Sequence, residues 1–188
     1  MDYLELIALP PKDTFNKGLT SPRNADMLGF FGHPVVGGQY DPKGKCKAPD
    51  NPDFKKRLET RNVGPLKVTG LKPALDSLVS IFSRVNLEVP DLYAILKTQG
   101  MLCSRYTKIN GRIGPSISNH SWGTALDVQL ESDLDPQGDG KIQRGLLILS
   151  TYFNSAGWYW GAAFPVEDGM HFEVSKGLLA NWKKAGLI

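Results

Sequence analysis

Two short stretches alternate polar and apolar side chains, and each is tied to a histidine. In the first, Leu126, Val128 and Leu130 fall on one side of an extended chain, and Ala125, Asp127 and Gln129 on the other. In the second, Met170, Phe172 and Val174 oppose His171 and Glu173. A period of two predicts two strands that each press an apolar face into a core. If their polar faces adjoin, Asp127 and His171 meet His120, which lies just upstream of the first strand. Two imidazoles and a carboxylate form a three-ligand set for zinc that leaves a fourth position for water, as catalytic zinc requires. The chain has only three histidines, so two on these faces carry weight, although the spacing is not a His-Glu-x-x-His signature.

The residues around them carry a resemblance. Ser118-x-His120-x-x-Gly123-x-Ala125-x-Asp127 resembles the first signature of the LAS-type zinc peptidases. These are the D-alanyl-D-alanine carboxypeptidases and dipeptidases and the L-alanyl-D-glutamate endopeptidases, which cut peptidoglycan stem peptides. Asp168-x-x-His171-Phe172-Glu173 resembles the second signature, and Phe153 to Gly161 is similar to the aromatic approach to it. The likeness covers roughly residues 70–180. It implies one zinc per chain on His120, Asp127 and His171, with Asp168 as catalytic base. It also implies an α+β fold, hedgehog-like, in which a small antiparallel sheet carries helices on one face. Bacterial peptidoglycan is then the partner, and the alternative is a degenerate zinc module that binds wall without cutting it.

Other residues take roles from their chemistry. Glu167 and Glu173 rival Asp168 as base, but Glu173 is better placed to orient an imidazole. Arg105 suits a substrate carboxylate or a developing oxyanion, and it matches in position an arginine of the family; Arg112 is the alternative. Ser118 either bonds substrate or holds the turn. Trp122 and Trp160 line a cleft or fill the core. A Ser-His-Asp hydrolase lacks its Gly-x-Ser-x-Gly elbow.

At 188 residues the chain fits one domain with an extension, read as a loop-rich segment over residues 1–65 and a catalytic domain over residues 66–188. A net charge of +3 without basic runs gives no argument for nucleic-acid binding, and none is expected; it suits an acidic polymer such as a cell wall. There is no span-length apolar run. The acidic start is not that of a Sec signal peptide, so a protein acting on the wall, in the periplasm or outside the cell, is expected to be exported by another route or made in the cytoplasm. A monomer is expected. Cys46 and Cys103 show no framework spacing and are expected as free thiols, with Cys103 buried and inert; one disulfide between them is the alternative. His33 reads as a loop residue. Asp135 to Asp139 superficially resembles the start of a calcium loop, but Leu146 stands where a bidentate Glu is needed; a plain acidic turn is the expectation.

Helices are expected from Pro22 to Phe31, from Asn51-Pro52 to Gly64-Pro65, over Leu71–Val85, over Pro90–Thr98, over Gln143–Asn154 and over Leu178–Lys184. A strand is expected over Met101–Tyr106 and a loop over Lys108–Ser118.

Overall fold

The two alternating stretches form neighbouring strands in a computed structural model that describes residues 1–188. In chain order the elements are β1 (Leu6–Ala8), α1 (Asn24–Phe31), α2 (Pro52–Lys55), β2 (Leu58–Val63), β3 (Leu66–Leu71), α3 (Lys72–Glu88), α4 (Pro90–Ala94), β4 (Leu96–Gly100), β5 (Tyr106–Ile109), β6 (Arg112–Ile117), β7 (Ala125–Leu130), β8 (Lys141–Gln143), α5 (Arg144–Ser155), β9 (Trp158–Trp160), β10 (His171–Val174) and α6 (Lys176–Lys184). The main sheet has the order β4-β7-β10-β9, with every neighbour antiparallel. Its apolar face is formed by Leu126, Val128, Leu130, Phe172 and Val174, all fully buried. Leu75, Leu78 and Phe82 of α3 and Phe153 of α5 belong to the same core. Phe153 stacks on Phe172 at 4.1 Å and meets Phe82 and Trp158 edge-on. Burial of each such side chain stabilises by about 1.5–3 kcal/mol, against the few tenths that separate most helix and strand propensities. The expected α+β class holds, and no helix is long and apolar enough to cross a membrane.

Several connecting elements differ from expectation. The helix expected over Pro90–Thr98 ends at Ala94, and β4 follows, pairing Leu96 with Leu130 and Thr98 with Val128. Edge pairing onto β7 overrides the local helical pattern. Met101 to Arg105, expected as strand, is irregular apart from a bridge of Ser104 to Lys47. The expected Lys108–Ser118 loop is mostly the β5–β6 hairpin, turned by Asn110 and Gly111, both at positive φ; Asn-Gly favours that turn. Gly64-Pro65 ends no helix but turns β2 into β3. Helix α1 starts at Asn24 rather than Pro22. Cys46 and Cys103 are not free thiols: they are disulfide-bonded, with Cα atoms 5.2 Å apart, and Cys103 is half-buried. A partner 57 residues away comes close only through the fold.

The N-terminal 65 residues pack into the same core through Phe15, Met27, Phe31, Phe54 and Val63. Two asparagines fasten them. Asn16 donates to Trp160 O at 2.9 Å and accepts from Trp160 N–H at 2.8 Å. One amide thus does a neighbouring strand's work on edge strand β9. Asn24 does the same at Ile117, donating to its carbonyl at 2.8 Å and accepting from its N–H at 2.7 Å.

Gly123 closes the turn into β7 at φ +61°, and a Cβ there would meet Gly70 Cα at 2.8 Å. The approach is fixed by Leu71 N–H donating to Gly123 O at 2.9 Å. Gly123→Ala is expected to lower stability by about 2 kcal/mol or more, from left-handed strain plus the clash; urea unfolding measures it.

Candidate metal centre

Three elements bring the donors together. His120 sits on a 3-10 turn, Asn119–Trp122, directly before β7. Asp127 is the third residue of β7, and His171, the first of β10, lies opposite it in register. His120 Nε2 is 3.1 Å from Asp127 Oδ1 and 3.2 Å from His171 Nδ1, and the third side of the triangle is 3.1 Å. Ligand atoms 2.0–2.2 Å from a common tetrahedral centre lie roughly 3.3 Å apart, so the triangle has the size of one face of such a site. This is the one group of three metal-ligating side chains that converges in the structure.

The outer nitrogens set the tautomers. His120 Nδ1 lies 3.1 Å from Met101 O, and His171 Nε2 lies 3.0 Å from Glu173 Oε2. When each outer nitrogen donates to its oxygen, the inner nitrogen presents a lone pair. Glu173 is buried, and its Oε2 also accepts from Asn119 Nδ2 at 2.8 Å. Burial pushes Asp127 up, but His120 and His171 outweigh it and hold the carboxyl far below the usual range. Burial pushes His171 down, but Asp127 and Glu173 outweigh it and raise the imidazole well above its ordinary value. This surrounding negative potential favours a cation at the centre.

Asp168 lies half-buried on the cleft wall. Its Oδ2 accepts from Gln137 Nε2 at 3.0 Å, and its Oδ1 has no protein partner. Gln137 is held in turn, its Oε1 accepting from Asn110 N–H at 2.8 Å. Burial raises the Asp168 carboxyl above its usual range. Glu167 is turned away from the centre, its Oε1 accepting from Gly140 N–H. Arg105 lines the cleft and donates to Tyr106 O at 3.0 Å. Ser118 lines it too, with its backbone held by Arg105 O and Ser121 N. Trp122 and Trp160 are fully buried core residues, donating to Gly32 O and Gly169 O. His33 is exposed and packs near Tyr40; neither His33 nor Arg112 reaches the cleft. In the Asp135–Asp139 loop, Asp135 and Asp139 each accept from a backbone N–H, of Gln143 and Lys141. No trio of carboxylates forms there.

The cleft, of about 630 Å³, is within the range of small-ligand sites. One wall is Phe164, Pro165 and Val166, and another is Ser21 to Asn24 of the N-terminal segment. Arg23, Asn24 and Gln137 gave no signal in the sequence: they reach the site through contacts far apart in the chain.

Residues 112–174 match the family model described as D-alanyl-D-alanine carboxypeptidase, of the LAS-type zinc peptidases. The match runs from β6 to the end of β10. It contains His120, Asp127, Asp168, His171 and Glu173 but not Arg105, and it bears out the resemblance over that third of the chain. No curated protein and no solved structure matches.

His120→Ala and His171→Ala are expected to lose bound divalent metal, while His33→Ala keeps it, as read by elemental analysis after dialysis. A second expectation concerns Asp135, which is buried with Oδ2 unpartnered. Burial, with repulsion from Asp139, Asp168 and Glu167, pushes its carboxyl from 3.8 up to about 7. The folded state then holds the proton longer than the unfolded state. The contribution of Asp135 to stability is fully present below about pH 4 and is lost as pH rises through about 7. Asp135→Asn should flatten this slope, with a gain over wild type that grows with pH toward a ceiling of about 4 kcal/mol; denaturation at pH 4, 6 and 8 measures it.

Proposed function

We propose that the chain is a zinc-dependent peptidase that hydrolyses peptidoglycan stem peptides, as a D-Ala-D-Ala carboxypeptidase or an L-Ala-D-Glu endopeptidase. The observation that carries this is the triangle of donor atoms, with both outer nitrogens anchored, beside a carboxylate that has one oxygen free. Two imidazoles and one carboxylate are the donor set zinc takes in peptidases. A zinc ion held by them supplies a water of lowered pKa and a Lewis acid for the scissile carbonyl.

The remaining work falls to side chains. Asp168 takes a proton from the attacking water through Oδ1 and returns it to the leaving amine. Gln137 fixes the other oxygen, so the carboxylate does not rotate away between the two transfers. The burial that raises Asp168 brings its basicity toward that of a shuttle working near neutral pH. Glu167 bonds Gly140 and lies outside the cleft lining, and Glu173 Oε2 bonds His171 and Asn119, which favours Asp168, on the cleft wall, as the base. Arg105 binds a substrate carboxylate or the developing oxyanion, with Ser118 beside it. Phe164, Pro165 and Val166 give the cleft an apolar wall on one side. The Cys46–Cys103 disulfide supports action outside the reducing cytoplasm, since disulfides persist in oxidising compartments. We take the protein to act on the wall as a monomer.

Asp168→Asn separates binding from chemistry, because it keeps the shape and removes the proton acceptor. One zinc per chain should stay bound, and kcat on stem peptides should fall about a hundred- to ten-thousand-fold. Muropeptide mass spectrometry reads the cleavage, and elemental analysis reads the metal. An Asp168→Asn protein with near-normal turnover, beside a Glu167→Gln protein that is inactive with zinc bound, would move the base to Glu167.

A further inference from the structure

Two arginines face the cleft, Arg105 and Arg23, and neither is paired with a carboxylate. Elsewhere the guanidinium groups are in use. Arg61 pairs with Glu59 and Asp76, Arg84 with Glu88, and Arg144 with Glu5; Arg57 lies over the Phe31 ring. Arg112 is exposed outside the cleft.

Arg23 belongs to the N-terminal segment. The acid that would neutralise it, Asp26, is spent on other groups. Its Oδ2 accepts from the backbone N–H of Arg23 at 3.0 Å, and its Oδ1 pairs with Lys176 at 2.7 Å. The Arg23 guanidinium itself donates no hydrogen bond to the protein. Both flanking residues are fastened to the segment that leads into His120. Pro22 O accepts from Asn119 Nδ2 at 3.3 Å, and the Asn24 side chain holds both backbone groups of Ile117. Arg23 is therefore an exposed cation at the cleft rim with no salt bridge, near Asp26 but not paired with it, on a segment hydrogen-bonded to the turn that carries His120.

We propose that Arg23 is a second anion anchor, which with Arg105 reads the carboxylates of the substrate and so sets specificity. This rests on the cleft taking a stem peptide. Such a peptide carries two kinds of free carboxylate, at its C-terminus and on its glutamate residue. A guanidinium binds either through two parallel charge-assisted bonds. The backbone of Arg23, not its side chain, holds α1, so substitution leaves the wall in place.

The test uses the full chain and synthetic stem pentapeptides, with the C-terminus free or amidated and the second residue glutamate or its amide. With both carboxylates free, Arg23→Ala and Arg23→Gln should raise KM about ten- to a hundred-fold with kcat nearly unchanged, the mark of a binding contact. Arg23→Lys should fall between, and Arg112→Ala should behave as wild type. On the peptide whose contacted carboxylate is amidated, wild type should already bind weakly and the variants should lose little more. The amide that cancels the effect identifies the carboxylate. Calorimetry with chelated protein, which binds without turnover, should show the same pattern in Kd. If wild type cleaves none of the peptides, the enzymatic reading falls, and calorimetry still decides on Arg23. The anchor is overturned if Arg23→Ala leaves KM and Kd unchanged on every peptide, or weakens free and amidated peptides by the same factor.

Discussion

The site depends on the register of β7 against β10, which sets His171 opposite Asp127. Side chains alternate along a strand, so a slip of one residue would turn these two into the core and bring Leu126 and Phe172 out. The apolar face prevents the slip. Leu126, Val128, Phe172 and Val174 are fully buried, and exposing them would cost far more than the ladder bonds regain. The packing of ordinary core residues therefore aims the donors. It also sustains the cost of placing an acid and two imidazoles with little access to water, which is tolerable only where the charges compensate one another or a cation.

Around that pair the polar groups are organised in layers of hydrogen bonds. Met101 O and Glu173 fix the imidazoles, Asn119 fixes Glu173, and Gln137 fixes Asp168. Each bond is worth about 1 kcal/mol net, but its larger effect is to remove rotamers from groups that must stay in place.

The N-terminal segment shares the apolar core through Phe15, Met27, Phe31 and Phe54 and is fixed in place by amides. Asn16 covers the open edge of β9 and Asn24 the end of β6, each using one side chain to satisfy a backbone N–H and C=O. Together with the disulfide to Cys103, they make this segment a wall of the cleft. Charge on the walls is divided. Asp168 lines the cleft with Asp135 and Glu167 behind it, where burial first, and then repulsion among the acids, raises Asp135, whose Oδ2 has no partner. Arg23 and Arg105 remain unneutralised in the cleft itself.

The parts with local periodicity can be read from the chain alone. The alternation in β7 and β10 and the apolar stripes of α3 and α5 were legible because each follows from one residue's distance to the next. So were the three donor residues, since Asp127 and His171 sit on those strands and His120 on the turn into the first of them. The β5–β6 hairpin was not read: the polar composition of Lys108–Ser118 reads as loop, although Asn110-Gly111 carries the turn. Tertiary structure decided everything that depends on partners far along the chain. Leu96–Gly100 is strand because β7 offers an edge, not because its residues favour strand. Cys46 meets Cys103 only once the N-terminal segment is folded back. Arg23, Asn24 and Gln137 carry no motif: their place at the cleft comes from bonds to Ile117, Asn119, Asn110 and Asp168, and spacing along a chain does not encode distance across it.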